Sequence, residues 1–110
     1  MSLPHVDSGQ VIPLYPLGDR LPYTVSTAFV KSSQLEVMRL VLTAGKSIPE
    51  HQVPGELTLQ CLEGVVELRI MGTTQLLRPN EMIFLTDHVP YALHAIEDAS
   101  VLMTVVVIRN

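Results

Sequence analysis

The sequence has one cysteine, Cys61, no tryptophan, and only 5% aromatic residues in a chain of 110. A single thiol cannot close an internal disulfide, which fits a reducing cytoplasm. With aromatics so scarce, the 47% of hydrophobic residues are mainly Val, Leu, Ile and Met. Branched aliphatics of this kind suit strands better than helices. Charge is also sparse. Charged residues are 16% of the chain, 7 basic against 11 acidic, for a net charge of −4. A chain so apolar is not disordered, and its acidic balance makes nucleic acid a poor partner. No long hydrophobic run is present. The strongest, Val101 to Ile108, is broken by Thr104 and falls far short of the roughly twenty residues of a membrane helix. Met1 to Asp7 shows no basic region followed by an apolar run, so no leader is expected. These features predict a soluble, cytoplasmic, single-domain protein with no membrane partner.

Helical periodicity is missing as well. The 8 Pro and 6 Gly residues divide the chain into short apolar runs bounded by turn residues. Residues 1–22, with Pro4, Pro13, Pro16 and Pro22, read as a Pro-rich N-terminal arm containing an edge strand around Val11–Leu14. The rest, 23–110, reads as one β domain. Strands are predicted at Tyr23–Val30, Leu35–Thr43, Glu56–Leu62, Val65–Met71, Gln75–Leu77, Met82–Leu85, Tyr91–Ile96 and Val101–Ile108. Glu63 and Gly64 read as a tight hairpin. Val66, Leu68 and Ile70 alternate with Glu67 and Arg69, as in a half-buried strand. Leu35–Leu42 and Val101–Ile108 are apolar on both faces. One small domain cannot cover both, so the second face must meet a second subunit or the Pro-rich arm, and a homodimer is expected.

Two stretches then carry a resemblance. Gly45 to Gly64, with His51, Val53 and Leu57 inside it, keeps without a gap the spacing Gly, five residues, His-x-His, three residues, Glu, six residues, Gly. Asn80 to Ala95, with Thr86, His88 and Tyr91, keeps the spacing of Gly, five residues, Pro-x-Gly, two residues, His, three residues, Asn. The chain resembles a small single-domain cupin of the conserved-barrel type. The resemblance implies an all-β fold, an antiparallel jelly-roll β-barrel. It also implies a metal site whose four ligand positions are held here by His51, Val53, Leu57 and Tyr91. Val and Leu cannot coordinate, and a neutral Tyr is a poor ligand, so no metal and no cofactor is expected.

Candidates to rebuild the site are weak. Strand parity turns Glu56 away from Leu57 and His94 away from Tyr91. His88 falls in a loop, and His5 in the arm. The expected pocket is His51, Val53, Leu57, Leu59, Cys61 and Tyr91, with a hydrogen bond between His51 and Tyr91. Cys61 reads as a buried, inert thiol. Three functions follow from these residues. The favoured one is a metal-independent cupin that binds a small molecule in its barrel or serves as a sensor or accessory domain. The second is a metal-free epimerase or isomerase with His51 and Tyr91 as catalytic groups. The third is a metal-dependent enzyme such as a dioxygenase or isomerase. Fold alone does not choose among them.

Overall fold

The computed structural model describes residues 5–107. Among these residues, nine antiparallel strands form two packed sheets. They are β1 (Thr27–Lys31), β2 (Leu35–Leu42), β3 (Ser47–His51), β4 (Leu57–Glu63), β5 (Val66–Ile70), β6 (Thr73–Leu77), β7 (Met82–Leu85), β8 (Tyr91–Ala95) and β9 (Ala99–Val106). The larger sheet has the order β1-β2-β9-β4-β7, the smaller β3-β8-β5-β6. The predicted all-β, antiparallel jelly-roll architecture is what the chain adopts.

Alternation supplies the core. In β4, Leu57, Leu59 and Cys61 turn inward, and in β9 Val101, Met103 and Val105 do the same. They meet Val66 and Leu68 of β5 and Tyr91, Leu93 and Ala95 of β8 from the opposite sheet. Pairing of β2 with β9 sets Met38 beside Met103 and Leu40 beside Val101, so one continuous apolar layer lies between the sheets.

Local expectations are corrected at Glu63–Gly64 and in the arm. Glu63 and Gly64 do not close a hairpin, because β4 pairs with β7 and β9 while β5 pairs with β6 and β8. They form the corner at which the chain changes sheets. Gly64 has φ +76°, and a Cβ there would come within 2.0 Å of Asp98 O, so only glycine fits. Ser47–His51, without an alternating pattern, is nevertheless strand β3. It lies at a sheet edge, the one place where Pro49 costs no ladder hydrogen bond. In the arm, Val11–Leu14 is not a strand, and Gly18–Tyr23 forms a 3-10 helix that takes up the start of the expected Tyr23–Val30 strand. The last strand ends at Val106, and Ile108 lies outside the described residues.

The arm crosses the outer face of the larger sheet. Val6 N–H donates to Phe29 O (2.9 Å), and the Arg39 guanidinium to Tyr15 O (3.3 Å). Glu63 then anchors the arm's far end. Its carboxylate accepts from Leu17 N–H (2.7 Å), Gly18 N–H (3.1 Å) and Ser100 O–H (3.0 Å). Hydrogen bonds to a charged acceptor are among the stronger ones. Beyond the arm, Leu35, Val106, Met82 and Phe84 stay exposed on this face.

Candidate functional site

β3 and β8 place His51 opposite Tyr91. The pairing register shifts between Ile48 and His51, in the edge strand at this end, the mouth of the barrel. The two rings lie 4.6 Å apart at an interplanar angle of 49°. His51 is exposed, and its Nδ1–H donates to Pro49 O at 3.0 Å. That bond leaves Nε2 as the free, accepting nitrogen. Tyr91 is 1% exposed. Its hydroxyl crosses between the sheets and donates to Met103 Sδ at 3.4 Å. Burial raises the Tyr91 pKa above the usual phenol value.

The expected His51–Tyr91 hydrogen bond is therefore replaced by a ring contact. Cross-strand partners leave their sheet side by side, not tip to tip. The longer phenol reaches the opposite sheet, while the imidazole turns to its own strand's carbonyl.

The other expected pocket residues divide into two groups. Val53 is half-buried in the loop after β3, and its carbonyl accepts from His88 N–H at 3.2 Å. Leu57 is buried. Leu59 and Cys61 are 0% exposed. A side chain bordering a space large enough for water keeps some accessible area, so these two belong to the packed core. Cys61 also lies about 13 Å along β4 from Leu57. Its thiol donates to Gly64 O (3.2 Å) and Glu63 O (3.4 Å), at the opposite end from His51. Burial, the largest effect, pushes its pKa up to about 11.

Asp87 is the mouth residue that sequence reasoning missed. Its carboxylate accepts from Gly55 N–H at 2.6 Å and contacts His88 Nδ1 at 2.7 Å, tying the loop before β4 to the loop before β8. The Pro54–Gly55 turn was the available signal. Gly55 has φ +121°, and a Cβ would meet Val106 O at 1.8 Å.

The mouth does not fit a divalent metal. Val53 and Leu57 offer no donor, and the Tyr91 hydroxyl is engaged by Met103. Glu56 is exposed and borders a groove with Phe84 and Val106. His94 lies on the outer face with Ser47. His5 is exposed in the arm. Among the described residues, no group of three or more His, Cys, Asp or Glu side chains is placed to hold an ion.

The sandwich, its strand order and this mouth can be compared with solved structures. A cupin superfamily protein from Desulfitobacterium hafniense DCB-2 aligns over 98% of this chain and 100% of its own, at TM-score 0.77 and 15% identity. The chain has the cupin fold. A conserved protein of unknown function from Streptococcus pyogenes aligns over 100% of this chain and 97% of its own, at TM-score 0.76 and 22% identity. Salicylate 1,2-dioxygenase from Pseudoaminobacter salicylatoxidans, solved with gentisate, aligns over 73% of this chain and 24% of its own, at TM-score 0.68 and 20% identity. At such identities the cupin likeness establishes architecture and not chemistry. No family model and no curated protein matches the sequence. Among the described residues, no helix is long and apolar enough to cross a membrane.

Proposed function

We propose that this cupin-fold chain is a metal-independent binding protein that takes a small molecule at the mouth of its barrel, beside His51, Val53 and Tyr91. The observation that carries this reading is the state of His51. It occupies the first ligand position of the motif, its Nδ1 is fixed on Pro49 O, and its Nε2 is left for a donor from outside. Val53, half-buried two residues along the chain, offers an apolar surface. One placed polar group over an apolar surface is the usual make-up of a small-molecule site. Binding, with a sensor or accessory role, is favoured over catalysis. A His51/Tyr91 isomerase would need the phenol as an acid near His51, and the phenol donates to Met103. We further propose a cytoplasmic homodimer, which the single reduced thiol and the exposed apolar face of the larger sheet support.

The test is a fragment screen followed by protein NMR. A binder should move the His51 ring resonances and raise the melting temperature, and His51→Ala should abolish both effects. Fragments that move only residues remote from the mouth would overturn the reading. Turnover of a bound sugar or hydroxy acid that survives Tyr91→Phe would also overturn the binding role and require a different acid.

A further inference from the structure

The outer face of the smaller sheet carries a second, unrelated constellation. Pairing of β3, β8 and β5 sets Ser47, His94 and Glu67 in one cross-strand row, with Ala92 opposite Arg69 in the neighbouring row. All five turn away from the core, since Leu68, Tyr91 and Leu93 between them are buried. Together with Pro49 they border a groove of about 370 Å³. Ala92 lines the groove with a small side chain. A larger side chain at that position would fill the space between Arg69 and β3.

The charges in this groove are unspent. Glu67 and Arg69 form no ion pair or hydrogen bond with each other or with other described residues. His94 is different, because its Nδ1 is held by Ser47 Oγ at 2.6 Å. The imidazole is thereby oriented, and only Nε2 remains for a ligand. The groove thus presents a cation, an anion and one fixed nitrogen around a small apolar floor.

We propose that this groove binds a small zwitterion whose carboxylate and ammonium are separated by a short chain, an ω-amino acid. The carboxylate lies on the Arg69 guanidinium, which suits it by its planar pair of donors. The ammonium lies on Glu67. The chain between them rests on Ala92 and Pro49, and His94, paired with Glu67, lies at the ammonium end. An α-amino acid, with both charged groups on one carbon, offers a shorter span between the two partners. The site is on the opposite side of the sheet from His51 and does not depend on the function proposed for the mouth.

The test is titration of the isotope-labelled full chain with γ-aminobutyrate, and with glycine, butyrate and butylamine as comparisons. Saturable shifts of the Ala92 and His94 amides with γ-aminobutyrate, at a Kd in the range of about 1 mM, are expected. Arg69→Gln and Glu67→Gln should each weaken binding about tenfold or more, with unchanged melting temperatures, because both side chains are solvent-accessible and unpaired. His51→Ala should leave binding as it was. Butyrate or glycine binding as tightly as γ-aminobutyrate would overturn the zwitterion assignment. Absence of a saturable shift up to about 100 mM, or loss of binding in His51→Ala, would overturn the site itself.

Discussion

His51 and Tyr91 face each other across β3 and β8 with ring centroids 4.6 Å apart, yet their polar atoms point in opposite directions. Nδ1 of His51 goes to Pro49 O, and the Tyr91 hydroxyl to Met103 Sδ. The pair works as a plug with a polar outer tip. The phenol ring fills the space between the sheets, and the imidazole caps it from solvent.

The plug makes Tyr91 a packing residue first. Tyr91→Phe keeps the ring and loses one weak hydrogen bond to sulfur, so it should cost about 0.5–1 kcal/mol. Tyr91→Ala leaves a cavity and should cost about 3–5 kcal/mol. Urea denaturation of both variants measures the ratio. Equal losses would mean that the hydroxyl, and not the ring, holds this end of the barrel.

Metal should not stabilise the wild-type chain. Zinc or nickel should leave its melting temperature unchanged, because Val53 and Leu57 carry no donor atoms. The triple variant Val53→His, Leu57→Glu, Tyr91→His would give His51 three partners at the spacing of the motif. With nickel at about 100 times its Kd, the variant should gain about 2.7 kcal/mol. Near-stoichiometric metal in wild-type protein purified without additions would contradict the prediction.

Cys61 predicts a loss of stability in alkali. Its thiol pKa is 9.0 in an open environment and about 11 in the fold. Above pH 9 the unfolded chain releases this proton and the folded chain keeps it, so the folded state binds more protons and stability falls with pH. The fall should run between about pH 9 and 11, amount to on the order of 2 kcal/mol, and level off above. Tyr91, also raised by burial, adds a decline of the same sign at higher pH. Cys61→Ala should flatten the first part of the urea-midpoint profile. An unchanged slope in that variant would assign the decline to other groups.

The outer face of the larger sheet should close against a second copy. Phe84 and Met82 are 56% and 61% exposed, beside Val106 and Leu35, on a face whose other end the arm already covers. An interface of standard size buries about 800 Å² per partner, and at about 25 cal/mol/Å² an apolar patch here would hold a dimer at micromolar concentration. Light scattering should give twice the chain mass, and Phe84→Asp should give the monomer. A wild-type monomer at that concentration would refute the prediction.

Much of this molecule was legible as pattern. Val66, Leu68 and Ile70 against Glu67 and Arg69 identify a strand and its buried side, because side chains alternate along any extended chain. The same parity turns His94 and Glu56 away from the core. Motif spacing put His51 and Tyr91 in register, and the lone cysteine excluded a disulfide. Parity and spacing are properties of one strand and its nearest turns, so sequence expresses them directly.

The remaining features depend on which strands lie beside or across from each other. Glu63–Gly64 reads as a hairpin until β4 and β5 are found in different sheets. Ser47–His51 becomes a strand because β8 offers it an edge, despite Pro49 and the lack of alternation. Glu63 anchors the arm through Leu17 and Gly18, more than forty positions away in the chain. The partner of the Tyr91 hydroxyl is a sulfur on the opposite sheet. Periodicity fixes the face that a residue presents, but only the packing of one sheet on the other decides which atoms that face meets.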